Sequence, residues 1–345
     1  MAGTCARTFT ARRPYTTPPV WRFETPEGHS FKGLAGNGGK LLSENGVTLA
    51  LHRVSKTFDE FKAVDELSLE VRAGRIFGLI GPNGAGKTTT IRMIVNILAP
   101  DTGRIELFGE QMSERLQDRI GYLPEERGLY KKMRVGEQLR YFGELKGLSP
   151  REAETRLDRW LERLKLSAWK NHKTDELSKG MQQKIQFITT VMHEPDLLIL
   201  DEVFSGLDPV NAELMKDVLL ELKAERRTII FSTHMMSQAE ELCDDICLIN
   251  RSRKVLEGSL REVKSGFGRR AIALRSEGGE DTLADARLVA GLKPYGDYVE
   301  VVLAEGADAQ ELLRRLVESG ARITRFEQVE PSLHDIFLQK VGESA

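Results

Sequence analysis

The sequence predicts an α/β protein whose centre is a parallel sheet covered on both faces, with an antiparallel β layer before it and a small α+β unit after it. Three observations carry this. The runs "RIFGLI", "LLIL", "TIIFS" and "ICLI" are apolar without alternation and are separated by helical segments, as in strands buried on both sides. Earlier, "VTLALHRV" and "LSLEV" alternate as half-buried strands do, and "GRIELFGE" follows a Pro-Asp-Thr-Gly turn. After "KSGFGRR" the character changes to short strands and helices.

Composition sets the outer limits. The chain has 345 residues, 40% hydrophobic and 30% charged, an ordinary soluble composition with room for two or three domains. Fifty basic and fifty-two acidic residues leave a formal charge of -2, so the chain as a whole gives no electrostatic case for nucleic acid or an acidic membrane. Three cysteines, Cys5, Cys243 and Cys247, form no disulfide framework or zinc spacing. Cys243 and Cys247 stand one helical turn apart and read as packed thiols in a reducing cytoplasm. No apolar run approaches the roughly 20 residues that cross a bilayer.

Residues 1–46 differ in composition, with Arg7, Arg12 and Arg13 ahead of the first acid at Glu24 and the Gly-rich "KGLAGNGGK". The segment is rich in Arg and Thr like a transit peptide but lacks a secretory core. It is read as a disordered extension or as sequence ahead of the true start. Folded periodicity begins at "VTLALHRV".

The first buried strand, Ile76–Ile80, runs into "GPNGAGKTT", which satisfies G-x-x-x-x-G-K-[ST] at Gly81, Gly86, Lys87 and Thr88. Ile91, Ile94, Val95 and Leu98 then mark one face of a helix, so strand, loop and helix come in the required order. Gly81, Gly84 and Gly86 let backbone N–H groups turn inward around a polyphosphate at the positive end of that helix. The cradle comprises Gly81, Pro82, Asn83, Gly84, Ala85, Gly86, Lys87, Thr88 and Thr89. Lys87 supplies charge for the β- and γ-phosphates and Thr88 a hydroxyl for Mg2+; a second metal contact is expected from an acid ending a neighbouring strand. Asp201, after Leu197–Leu200, is that acid.

Glu202 comes next. A carboxylate aimed at the γ-phosphate orients and deprotonates a water, whereas the bland alternative is a solvated acid capping the next turn. Upstream, "ELSKGMQQK" reads as a helix N-terminus capped by Ser178, with Gln182 to Lys184 in the following turns.

With "SGLDP" at 205–209, "STH" at 232–234 and "LSKG" about twenty residues before Asp201, the chain resembles the ATP-binding-cassette (ABC) family over roughly residues 47–260. The resemblance implies a P-loop NTPase of ABC type: an antiparallel β layer, a parallel-sheet core and a helical subdomain at about 127–184. It implies Mg-dependent ATP hydrolysis in a head-to-tail dimer. Ser178 and Gly180 of one copy then meet the ATP held by the other, using the helix N-terminus. Asp208 crosses the interface, and His234 contacts the γ-phosphate and holds the attacking water. Phe58, in "SKTFDEF", matches the aromatic that stacks on adenine; a place in the β core and a role for Phe61 instead are the alternatives.

Departures from the family pattern are Lys179 and Met181 in the signature stretch, Val203 in place of Pro, and Glu125 in "GYLPEERGLY" where Gln is usual. Glu125 is carried as an ATP- and metal-site residue. Leu157, Trp160, Leu161 and Leu164 mark a packed helical face in the subdomain, which in the family docks a membrane partner with the Glu125 loop.

The C-terminal unit has the strands "RAIALR", "YVEVVLAE" and "ARITRFEQVE", a helix at about 309–318 and a helical end in "PSLHDIFLQKVG", with Leu333, Ile336, Phe337 and Val341 on one face. It resembles the accessory domain of cassette ATPases serving sodium-efflux and drug-resistance exporters. The organisation read here is therefore an extension at 1–46, a cassette at 47–262 and an accessory domain at 263–345.

The expectation is an ATPase subunit of an export transporter, with ATP and Mg2+ as ligands. Its partners would be a second copy and integral membrane permease subunits, with no nucleic acid and no metal cluster, at the inner face of the cell membrane. A soluble cassette ATPase acting on DNA or the ribosome is the competing reading; the long coiled coil or second cassette of such proteins is not seen in the sequence. A nucleotide switch with little turnover would leave Glu202 and His234 without a purpose.

Overall fold

The computed structural model describes residues 46–126, 128–267 and 271–342, and the backbone of two four-residue strands nearer the N-terminus. Those strands, β1 (Trp21–Glu24) and β2 (Ser30–Gly33), form an antiparallel hairpin. Both strands fall within the segment read from sequence as an extension; the rest of 1–45 lies outside the described residues.

From Val47 the chain forms β3 (Val47–Phe58) and β4 (Phe61–Arg72), which pair through a tight turn, then the buried β5 (Ile76–Ile80) and helix α1 (Lys87–Ile94). β6 (Thr102–Leu107) and β7 (Glu110–Gln111) complete an antiparallel layer ordered β4-β3-β6-β7. β8 (Ile120–Leu123) leads into the helices α2 (Val135–Leu145), α3 (Pro150–Arg163) and α4 (Lys179–Val191). The core then alternates: β9 (Leu197–Asp201), α5 (Pro209–Ala224), β10 (Thr228–Thr233), α6 (Met236–Leu242), β11 (Asp245–Asn250), β12 (Arg253–Ser259) and α7 (Leu260–Gly266).

The central sheet is ordered β12-β11-β5-β10-β9-β8, parallel except for the β11/β12 hairpin. Its inner strands β5, β9, β10 and β11 are buried on both faces, which is why they lack alternation. Leu198 and Leu200 of β9 pack with the helices on one side, while Leu197 and Ile199 pack with the antiparallel layer and α1 on the other. Helix α3 shows how local sequence sets an element. Ser149 accepts from Glu152 N–H, Glu152 returns a bond to Ser149 N–H, and Pro150 occupies the first turn, where no partner is needed for its missing donor. Its apolar face buries Leu157, Leu161 and the following Leu164 fully, and truncating one such leucine to Ala costs about 2–5 kcal/mol.

The C-terminal unit contains β13 (Ala271–Glu277), the short α8 (Glu280–Leu283), β14 (Val289–Tyr295), β15 (Tyr298–Leu303), α9 (Ala309–Glu318), β16 (Arg322–Val329) and α10 (Leu333–Gly342). Its sheet, β14-β15-β13-β16, has its own core of Ile272, Leu274, Val301, Leu312 and Leu316. The structure adds α7, α8 and β14 to the sequence reading. A division at 262/263 would cut α7, and α10 is not confined to its own unit: Leu333 and Ile336 join the core beneath α6. Cys243 and Cys247 are both buried thiols, but they do not share a helix. Cys243 ends α6 and Cys247 lies in β11, because the backbone turns extended at Cys243.

Candidate active site

Four loops meet at one edge of the central sheet because of its strand order. β10 lies between β5 and β9, and β8 pairs with β9 on the far side. The carboxyl ends of β5, β10, β9 and β8 therefore bring together the Gly81–Thr89 loop, His234, the pair Asp201 and Glu202, and the Glu125 bend. The register is tight: Thr233 pairs with Ile80, Ser232 with Asp201, and Leu123 with Leu200. Ligands of open α/β sheets bind at this edge.

In the Gly81–Thr89 loop, two glycines are required by contact. A Cβ at Gly81 would lie 2.1 Å from Ile249 O, and one at Gly86, whose φ is +105°, would lie 2.3 Å from Ala63 O. The loop is pressed between β11 and β4 and opens into α1. Lys87 is buried, and its Nζ donates to Gly81 O at 2.8 Å and Pro82 O at 3.2 Å. Burial pulls its pKa below the usual lysine range, against the opposing pull of Glu202, Asp201 and Glu125. The ammonium thus lacks a directly bonded anion in a place where an anionic ligand would be strongly held.

Thr88 Oγ1 donates to Asp201 Oδ2 at 3.0 Å. The other oxygen, Asp201 Oδ1, is buried and has no protein hydrogen-bond partner, and the nearby Ser232 Oγ is likewise unsatisfied. Burial raises the Asp201 pKa, while the nearby Ser232 hydroxyl and the hydrogen bond from Thr88 oppose it. An orphaned carboxylate oxygen beside a hydroxyl is a hard, oxygen-only donor set, which fits Mg2+ shared with substrate phosphates. Among the described residues no group of three or more His, Cys, Asp or Glu forms a metal cage, which such a shared ion does not need.

Glu202 follows with φ at +51°, the left-handed region, where a non-glycine residue is uncommon and strained. The turn is held by Glu202 N–H donating to Ser232 O. It sends the carboxylate to His234: Oε1 lies 3.0 Å from His234 N and 2.7 Å from His234 Nδ1. Glu202 is therefore not a solvated capping acid.

Ser178 caps α4, accepting from Met181 N–H at 3.2 Å. Gly180 lies against the following loop, with a Cβ position 3.3 Å from Gly206 O. Asp208 caps α5 and stays exposed. Phe58 and Phe61 face each other across the β3/β4 turn and are 46% and 61% exposed, so Phe58 is not a core residue of the β layer. Glu125 is exposed on its bend.

The sequence reading did not anticipate the residues that hold these loops. Gln183 Nε2 donates to Val203 O, and Gln186 Nε2 donates to Pro124 O and Glu126 O, each at 3.2 Å. One helix therefore fixes both the Glu202 and the Glu125 loops. The signal was two glutamines three apart on the buried face of α4.

Comparison with known proteins follows this geometry. Residues 64–205 match the family model described as ABC transporter, and residues 258–341 match that of the ATP-binding protein DrrA1-3-like, C-terminal domain. The uncharacterized ABC transporter ATP-binding protein YhaQ of Bacillus subtilis is 46% identical over 294 residues, covering 85% of this chain and 98% of that protein. The chain belongs to the ABC transporter family. It is an ATP-binding subunit of that family with a DrrA-like C-terminal domain. The Nod factor export ATP-binding protein I of Rhizobium sp. (strain N33) is 33% identical over 304 residues, covering 86% of this chain and 97% of that protein. A solved structure described as an ATP binding subunit of an ABC transporter aligns with a TM-score of 0.60 and 31% identity, over 64% of this chain and 93% of that one. Among the described residues no helix is long and apolar enough to cross a membrane.

Proposed function

We propose that this ABC subunit hydrolyses ATP with Mg2+ in a head-to-tail homodimer and drives export through separate membrane permease subunits at the inner face of the cell membrane. The observation that carries the hydrolytic part is the Glu202–His234 pair, set beside Lys87, Thr88 and Asp201. The Gly81–Thr89 backbone cradles the phosphates, Lys87 pairs with the β- and γ-phosphates, and Phe58 stacks on adenine. Thr88, Asp201 and Glu125 would hold Mg2+, which when bound neutralises phosphate charge.

Glu202 orients the attacking water and accepts its proton. His234 contributes its ring to the γ-phosphate while keeping Glu202 in place. Ser178 and Gly180 of one copy close on the ATP of the other, with Asp208 crossing between them. The cassette is assigned to 47–262, with its helical subdomain at about 127–184, and the accessory domain to 263–345, the boundary lying within the connecting helix α7.

The export assignment is supported by relatives described as Nod factor export proteins and by the DrrA1-3-like match. Permease docking is supported by an apolar groove of about 330 Å³ beside the Glu125 bend, lined by Ile97, Leu129, Phe142 and Leu145. Glu202→Gln tests the hydrolytic reading. It should abolish phosphate release and accumulate an ATP-bound dimer measurable by light scattering; a variant that hydrolyses ATP like wild type, or stays monomeric with ATP bound, would refute it. Co-purification from native membranes should recover polytopic subunits in stoichiometric amount.

A further inference from the structure

The last helix of the chain does not end in its own unit. Leu333 and Ile336 of α10 are 0% and 1% exposed and belong to the cassette core with Ala239, Leu242, Cys243 and Ile246. Helix α10 packs on α6. The contact is also polar. Glu240 of α6 accepts from Leu333 N–H at 2.8 Å and pairs with Lys264 of α7 at 3.1 Å. A side chain of α6 thus satisfies a free donor at the start of α10, while Ser332 satisfies another by accepting from Asp335 N–H at 3.1 Å.

Helix α6 is short, and it begins two residues after His234. The connection between them is tied down: Met235 N–H donates to Thr233 Oγ1 at 3.0 Å, and that hydroxyl lies 3.2 Å from Gln238 Oε1. The His234 ring is half exposed and is held by Glu202. A seven-residue helix has little stability of its own, so its position is set by what packs on it.

We propose that α10 is a brace for the His234 loop, and that Glu240 is a positioning residue through which the C-terminal unit sets the geometry of hydrolysis. The contact runs from Leu333 and Ile336 through Glu240 to α6, then through Gln238 and Thr233 to His234 and Glu202. It gives the C-terminal unit a physical route to the reacting centre within one chain, across 93 positions of sequence. This inference rests on the hydrolytic reading above.

The test uses the purified full chain with Glu240→Ala and Glu240→Gln, read by steady-state ATP hydrolysis and by amide hydrogen exchange over residues 233–238. Glu240→Ala should speed exchange there and lower kcat by about tenfold with KM for ATP within about twofold, because positioning is lost and binding is not. Glu240→Gln keeps an oxygen for Leu333 N–H and should recover most of both. Ile336→Val, a one-carbon change that leaves the hydrogen bonds in place, should move both readouts the same way by less.

Unchanged exchange at 233–238 in Glu240→Ala overturns the brace, as does faster exchange with an unaltered kcat. A general loss of structure would raise KM and exchange throughout the cassette, and that pattern also overturns it. If wild-type chain fails to turn over, or Glu202→Gln turns over like wild type, the hydrolytic reading fails instead. The exchange result still decides whether α10 holds the loop.

Discussion

One oxygen of Glu202 receives both the backbone N–H of His234, at 3.0 Å, and its ring Nδ1, at 2.7 Å. An ionised carboxylate only accepts, so Nδ1 carries the hydrogen and Nε2 is left free to face a ligand. The acid and the imidazole are one unit, with the second carboxylate oxygen left for water.

This predicts a split between two amide replacements. His234→Ala should lower kcat by at least about 10²-fold with ATP affinity little changed. Asn places its amide near the former Nδ1 and Gln places its amide near the former Nε2. If Nε2 is the atom that meets the γ-phosphate, Gln should recover more turnover than Asn. Equal recovery, or a better Asn, would mean that the ring serves only to hold Glu202. Phosphate release and ATP binding measured on the three variants decide it.

Asp201 sits with Oδ1 unpaired and Oδ2 taken by Thr88. Asp201→Asn keeps the volume and removes the charge, so the Mg2+ concentration for half-maximal hydrolysis should rise by about tenfold or more. Glu125→Gln should retain activity, since the exposed bend at Glu125 is held from behind by Gln186 and not by its own side chain. Titration of hydrolysis against Mg2+ in both variants separates a metal ligand from a neighbouring charge.

Phe58 and Phe61 are a matched pair across one turn, and both are exposed beyond what a core aromatic allows. Burial of such a ring against a base is worth about 1–2 kcal/mol, so Phe58→Ala should raise KM for ATP about tenfold while leaving kcat nearly unchanged. Phe61→Ala should do less. Reversal of that order would move the adenine contact to Phe61.

The linear motifs were legible because each is a short stretch following a strand: Gly81–Thr89 after β5, Asp201 and Glu202 after β9, His234 after β10. What brings them together was not. That β10 sits between β5 and β9 is a matter of strand order, set by long-range pairing that no local pattern encodes. The left-handed backbone of Glu202 is also invisible in sequence, because Glu gives no signal for it as Gly would. The same limit applies to α10. Its apolar spacing is plain, but the partner of Leu333 lies 93 residues earlier.

His193 predicts an acid limb of stability. Burial, with Lys146 adding, pushes its pKa down to about 4 from the usual value near 6.5, so the folded protein holds it neutral while the unfolded chain protonates it. Stability from this group is therefore complete above about pH 6.5 and is lost as pH falls toward 4. Between pH 7 and pH 5 the loss is about 2 kcal/mol. His193→Gln should remove that part of the pH dependence, seen as a smaller shift of the urea midpoint between those two pH values than in wild type.

Lys184 is buried on α4, where its Nζ donates to Leu164 O at 2.8 Å and Asn211 Oδ1 at 2.9 Å. Burial lowers its pKa, with the charge of Asp208 opposing. Asn211 then hands the contact on, its Nδ2 donating to Asp208 Oδ2 at 2.5 Å and its backbone N–H to Oδ1 at 3.0 Å. The helix that begins at Ser178 is in this way tethered to Asp208, the two parts assigned to the partner's ATP. Lys184→Met removes the charge and keeps the length. Asn211→Asp keeps the charge of Lys184, and even favours it, but sets a carboxylate against Asp208. Lys184→Met cuts the tether at the lysine and removes its charge, whereas Asn211→Asp loses the Nδ2–Oδ2 bond to Asp208 and retains that charge. If the tether aligns Ser178 with Asp208, both variants should lower turnover by about five- to tenfold with ATP binding intact. A loss confined to Lys184→Met would assign the effect to the buried charge, and no loss in either would leave the tether a packing feature alone.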